Sequence, residues 1–254
     1  MRIGKQDRRA SAISTSTPES ITVRGRDLCG ELIGKTDFTS YFWLLVTGEA
    51  PDETQRFFAD AVLTAIAEHG LVPSVVAARM TYAAAPEAFQ GAVAAGLLGC
   101  GTVVLGSAET AGRFLHDLVE SGENPRAAIA RLRAEKKAIP GFGHPLHAGG
   151  DPRANVLLRL AAEKGVEGPH IAALRAVEAA LPEALGRALP INVNGAIPAV
   201  MLDVGFPLVA LKGISLLART ASLIAHLNEE HERPIGFILS GEAAAAIEYD
   251  GPET

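Results

Sequence analysis

The sequence predicts an all-α protein, and three observations lead there. Apolar residues recur at helical spacing over most of the chain. The apolar runs are punctuated by capping residues, first-turn prolines and terminal glycines. Period-two alternation is nearly absent. No internal repeat or low-complexity linker interrupts the 254 residues, which suffice for one large domain or two small ones around a sizeable core.

In chain order, residues 1–20 form a polar, basic arm without the apolar centre of a secretory leader. "ITVRGRDL" predicts a short strand and turn. Asp37 to Val46 is a short aromatic-rich helix that stops at Gly48. "PDETQRFFADAVLTAIAEHG" opens on proline, carries acids early and stops at Gly70. Its Phe58, Val62 and Ile66 form one stripe. Further helices are expected over Ser74–Tyr82, Glu87–Leu98 and Ala108–Glu120. Asn124-Pro125 and Asp151-Pro152 cap two more, and "PHIAALRAVEAALPEAL" makes another. Then come Ala196–Val204 and a long apolar helix from Leu208 to about Glu230. That last helix is apolar on most faces and must be surrounded, either as a central core helix or at a subunit interface.

Bulk chemistry narrows the partners. The net charge is −6 and the basic residues are scattered, which argues against nucleic acid. The apolar stretch "PLVALKGISLLARTASLIAHL" is interrupted by Lys212 and Arg219, so it is expected in a core and not in a membrane. Cys29 and Cys100 have no CxxC or Cys/His spacing. That predicts neither a disulfide framework nor a zinc module, and fits a cytoplasmic location.

The stretch "AIPGFGHPLHAGGDPR", 138–153, invites four readings: linker, metal site, phosphate loop, or an arm that holds a histidine at a reaction centre. It lacks the spacing of a phosphate loop. His144 and His147 make half a metal site. Free amides, an imidazole and the Arg153 guanidinium beside a helix start suit a carboxylate and a carbonyl. Elsewhere, His69 reads first as a helix-end histidine that complements the dipole. In "LPINVNGAIPAV" the asparagines read as turn and N-cap residues. Arg219 sits among apolar residues and needs an anionic partner, from the protein or from a ligand. Arg233 follows just past that helix.

These pieces, in this order, resemble the citrate synthase superfamily, and more closely its short citryl-CoA lyase branch, including the lyase module of ATP-citrate lyase. "ITVRGRDLCGELI" looks like the family's N-terminal "RG" segment and "FWLLVTGEAP" like its "LLxxGxxP" turn. "AEHGLVPS" resembles the segment of the first catalytic histidine, and "PGFGHPLHAGGDPR" resembles "GxGHxxxxxxDPR". "INVNGAIPAVMLDVGFP" resembles the "NVD" helix, "ARTASLIAH" resembles "GRxxGxxAH", and "ERP" the closing "RP". The longer helical insertion of a full-length synthase, between "VTGEAP" and "AEHG", is missing.

The resemblance implies two helical domains, a large one from 1–70 and 195–254 and a small one from 71–194, with the active site in the cleft. It implies carbon–carbon cleavage or formation between acetyl-CoA and oxaloacetate. Related activities would be a Claisen or aldol reaction on another acyl-CoA and keto acid, or CoA-ester binding without turnover. It places His69 at the enolate oxygen and His144 at the ketone or hydroxyl. Arg153, Arg219 and Arg233 hold carboxylates, with Arg233 a candidate to reach across from a second subunit. The backbone of Ile139, Pro140, Gly141, Phe142 and Gly143 meets the adenine end of coenzyme A. No metal or redox cofactor is implied, and a homodimer is expected. One position departs from the family: Asn194 stands where it has the aspartate of "NVD". Asp203 is not expected to replace that acid, and Asp151 is expected to be a cap.

Overall fold

The structure is a computed structural model that describes residues 9–103, 105–143 and 149–252. Two compact units divide the chain, Met1–Asp60 and Ala61–Thr254.

The first unit departs from the expected arm. Three short antiparallel strands, β1 (Ser14–Ser16), β2 (Ile21–Val23) and β3 (Arg26–Asp27), form a small sheet in that order. Thr15 faces Thr22, and Val23 faces Arg26 across the tight Arg24-Gly25 turn. Both turn residues have positive φ, 50° and 79°. These strands are too short and too polar to show as alternation, so only β2 and its turn were legible in "ITVRGRDL". A single π-helical turn, Leu28–Leu32, follows. Helix α1 (Phe38–Thr47) is capped by Asp37, whose carboxylate accepts the Ser40 N–H, and ends on left-handed Gly48. The Arg24 guanidinium donates to the Leu45 carbonyl near the end of α1 at 2.5 and 3.1 Å. Val23, Leu32 and Leu44 make the unit's core.

Helix α2 spans Glu53–Ala67. The second unit holds α3 (Pro73–Ala84), α4 (Phe89–Leu98), α5 (Ser107–Ser121), α6 (Pro125–Ala134), α7 (Pro152–Glu163), α8 (Pro169–Leu185), α9 (Val193–Asp203), α10 (Leu211–Glu232) and α11 (Gly236–Ala246). Asn124 and Asp151 cap α6 and α7 as expected, and proline fills the first turn of both. Helix α9 is the hub. It is almost wholly buried and packs on α5, α7 and α8. Helices α3, α4 and α10 close around Val75, Ala78, Ala92, Leu223 and Leu227. Gly96 permits their close approach, because a Cβ there would lie 2.8 Å from Leu223 and from the Ser74 carbonyl.

Two differences in the second unit have physical causes. A 3₁₀ turn, Leu208–Ala210, precedes α10 where one continuous helix was expected. Within the chain α10 is also covered on one face only. Its buried residues, from Leu211, Ile214 and Ser215 through Arg219, Ser222 and Leu223 to Leu227 and Glu230, keep helical spacing, while Ile224 is exposed. This helix is long and apolar enough to cross a membrane by length and composition, but it carries buried Arg219 and Glu230. Helix α11 was not expected: "GFILSGEAAAA" buries only its first residue, Gly236, and has no apolar stripe to announce it.

Candidate active site

The site is built where two sequence motifs are zipped together. Gly143 N–H donates to the Pro190 carbonyl at 2.8 Å, and Asn192 N–H donates to the Gly141 carbonyl at 3.0 Å. Phe142 and Ile191 form the bridge between them. The Asn192 carboxamide then ties both sides. Its nitrogen donates to the Gly143 carbonyl at 2.6 Å, and its oxygen accepts Gly195 N–H at 3.2 Å as the N-cap of α9. Gly141 and Gly143 have φ of 89° and 75°, a conformation that favours glycine. Asn194 therefore stands inside the first turn of α9, two residues later than the cap that both asparagines were expected to supply, because Asn192 alone takes that duty.

A third segment is locked to the same place. Asp151 is fully buried, and its carboxylate accepts the Val193 N–H at 2.9 Å and the Arg153 N–H at 3.0 Å. Arg153 Nε and Nη2 each donate to it at 3.0 Å. Burial works against ionisation of Asp151, but the Arg153 and Val193 bonds outweigh it and hold its carboxyl below the usual range. Asp151 is thus a cap, an ion-pair partner and a tie to α9 at once. It occupies two nitrogens of the Arg153 fork and leaves Nη1 outside that pair.

Beside the zipped segments lies a cavity of about 750 Å³. Pro140, Gly141, Asn192 and Asn194 line one part of it, and Asp117 and the cations Arg113, Arg131 and Lys137 line another, the cations paired with Glu109, Glu123 and Glu135. Of the five residues expected to meet an adenine, Ile139, Gly141 and Phe142 are buried, while Pro140 and Gly143 are half-buried. His144 and His147 lie outside the described residues.

His69 is exposed, and it stands beyond its helix rather than at its end. Helix α2 stops at Ala67 because the Glu68 carboxylate turns back to accept the Gly70 N–H, and Gly70 is left-handed with φ of 68°. The chain then enters α3, whose first residue is Pro73. Glu68 also accepts from Ser222 Oγ at 2.7 Å and from His226 Nε2 at 3.1 and 3.2 Å. Burial opposes ionisation of Glu68, yet these donors hold its carboxyl down to about 2.

Arg219 is 3% exposed. Its Nη1 donates to Ser222 Oγ at 3.2 Å, and its buried Nε has no partner among the described residues. Burial pushes its pKa below the ordinary value, and the Glu68 carboxylate pulls the other way. A buried guanidinium with an unmet donor is built for an anion. Arg233 is exposed at the C-cap of α10. Asp203 sits at the far end of α9 from Asn194 and caps α8. It accepts the His170 and Ile171 N–H groups and His170 Nδ1, at 2.8 to 3.0 Å. Those bonds give Asp203 a structural duty at the start of α8.

The citrate synthase C-terminal domain family model matches residues 33–236. The chain belongs to that family. A curated relative, citrate synthase from Synechocystis sp., is 29% identical over 203 residues, covering 77% of this chain and 50% of its own length. The chain spans about half the length of the curated relatives it matches. Citryl-CoA lyase from Hydrogenobacter thermophilus matches with a TM-score of 0.88 and 29% identity, covering 100% of this chain and 96% of that one. ATP citrate lyase from Methanothrix soehngenii, solved with citrate and coenzyme A, shares the fold. Its TM-score is 0.83 at 23% identity, over 99% of this chain and 43% of that one. The citrate synthase fold predicted from the motifs is therefore the fold observed.

Within this family fold, one residue that the motifs did not flag stands out. Arg79, on α3, is 1% exposed and bonded to His226, Glu229 and Glu230. Its signal was available: an arginine inside an apolar run, as at Arg219.

Proposed function

We propose that this member of the citrate synthase family is a citryl-CoA-lyase-like enzyme. The observation that carries the reading is the likeness to the Hydrogenobacter citryl-CoA lyase over nearly the whole of both chains. The cavity beside Pro140 and Gly141 is the place for the coenzyme A thioester, whose phosphates would compete with Glu109, Glu123 and Glu135 for the cations on its wall. Arg153, Arg219 and Arg233 hold the carboxylates of the substrate, and His144 and His69 serve the hydroxyl and the thioester oxygen.

Cleavage passes the hydroxyl proton of citryl-CoA to the His144 imidazole and breaks the bond between the carbinol carbon and the methylene next to the thioester. The products are oxaloacetate and the acetyl-CoA enolate, which then takes a proton at carbon. A donor aimed at the enolate oxygen contributes on the order of 3 kcal/mol. Asn194 slows the proton step at carbon in both directions alike, since the base of synthesis is the acid of cleavage. A carboxamide hydrogen-bonds a substrate but takes no proton near neutral pH, so abstraction from the acetyl-CoA methyl loses its base. In cleavage the acetyl-CoA enolate takes its proton from water, because the carboxamide supplies none.

The large and small domains would meet in a cleft that closes over the thioester. A homodimer would cover the exposed face of α10 and the apolar Phe237 and Ile238 of α11. A cytoplasmic location fits Cys29 and Cys100, which stand in no CxxC or Cys/His spacing. No metal or redox group is needed for these steps.

The test is to incubate the purified protein with synthetic citryl-CoA and follow acetyl-CoA and oxaloacetate by mass spectrometry. Rapid cleavage supports the lyase. Binding without cleavage supports the second reading, which Asn194 favours: a CoA-ester-binding protein, or an enzyme for another acyl-CoA and keto acid.

A further inference from the structure

Glu68 directly precedes His69, and its carboxylate is a junction. It accepts the Gly70 N–H, a bond that closes the turn around His69. It also accepts from Ser222 and from His226 Nε2. Behind His226 stands Arg79, whose Nε and Nη2 lie 3.2 and 3.0 Å from His226 Nδ1. A guanidinium only donates, so Nδ1 accepts and the ring proton sits on Nε2, aimed at Glu68. Arg79 is itself fixed by Glu230 at 2.9 Å, and Glu230 accepts the Ile235 and Gly236 N–H groups at the start of α11.

On the other side, the Ser222 hydroxyl has one proton. It gives that proton to Glu68 and accepts from Arg219 Nη1. A continuous polar chain therefore runs from Arg79 through His226, Glu68 and Ser222 to Arg219. Arg79, Ser222 and Arg219 are each at most 5% exposed. In such surroundings a satisfied network rigidifies its members.

We infer that Glu68 is a positioning residue: it fixes the turn that carries His69 and ties it to Arg219, with His226 and Arg79 as its support. The inference rests on the roles proposed above for His69 and Arg219. We assign Glu68 no role as the base, because donors from Ser222, Gly70 and His226 engage both of its oxygens and hold it at the turn.

The test uses the full chain with His226→Ala, His226→Gln and Ser222→Ala, and two readouts. The first is the Gly70 amide proton in the unliganded protein, which a carboxylate acceptor shifts downfield in its NMR spectrum. The second is the split between kcat and KM on citryl-CoA. His226→Ala is expected to move the Gly70 proton upfield and to lower kcat by about tenfold to a hundredfold, with KM within about threefold, since small misplacements cost that much. His226→Gln, whose amide both accepts from Arg79 and donates to Glu68, restores most of both. Ser222→Ala moves the same amide and weakens substrate binding as well. An unmoved Gly70 proton in His226→Ala and Ser222→Ala overturns the inference, as does wild-type kcat in His226→Ala. If His226→Ala does not fold, Ser222→Ala decides by the same readouts. A wild-type protein that leaves citryl-CoA intact defeats the proposed function, and the Gly70 proton still decides the relay.

Discussion

Gly141 and Gly195 meet backbone to backbone: a Cβ on Gly195 would lie 2.5 Å from the Gly141 carbonyl oxygen and 2.9 Å from its Cα. The contact joins the segment expected to receive coenzyme A to the first turn of α9. Gly195→Ala must push the two apart. Overpacking of this kind costs about 1–3 kcal/mol. We expect urea denaturation to show a loss in that range, with weaker binding of coenzyme A esters by calorimetry.

Asn194→Asp restores the carboxylate that the family carries at this position. The frame around residue 194 is unchanged by the swap, so the variant should fold as the wild type does. Deuterium exchange into the methyl group of acetyl-CoA, followed by mass spectrometry in heavy water with a keto acid present, should rise by roughly 10²–10⁴-fold. No increase would mean that the scaffold does not aim residue 194 at that proton.

Arg219 separates stability from function. Its side chain is buried with an unmet Nε, so the apoprotein bears the cost of a desolvated charge. Arg219→Met fills similar volume without that charge. The expected outcome is a Tm equal to or above that of the wild type without ligand. Oxaloacetate is expected to raise the Tm of the wild type and to leave that of the variant unchanged.

Acid should weaken the protein in a defined window. The folded carboxyl of Glu68 is depressed from 4.5 to about 2, and that of Asp151 lies below its ordinary 3.8. A depressed carboxyl stabilises the fold above its unfolded pKa and loses that contribution as pH falls through its folded pKa. Unfolding free energy should therefore decline from about pH 4.5 towards about 2. Glu68→Gln should flatten only part of the slope, since 55% of that side chain is exposed and water screens it. Urea denaturation at several pH values checks both statements.

Much of this was legible because caps and stripes are local signals. Asp37, Asn124 and Asp151 each announce a helix, and the structure places each helix there. The small sheet was hidden because its strands are three residues or fewer and nearly all exposed. In the site, "PGFG" and "NVNG" were visible as motifs, but their mutual zipping is a tertiary fact. So is the double duty of Asp151, which reads in the sequence only as a cap. Arg79, His226 and Glu68 lie 147 and 158 residues apart along the chain, and no local pattern joins them.

The zipper between the two motifs has a consequence for how this site can change. Main-chain amides, carbonyls and two touching glycines hold it, with the Asn192 and Asp151 side chains as fasteners. Among the described residues the Asn194 side chain takes no part in that fastening. A change of side chain at residue 194 leaves those fasteners untouched, so the position is free to vary without rebuilding the protein around it.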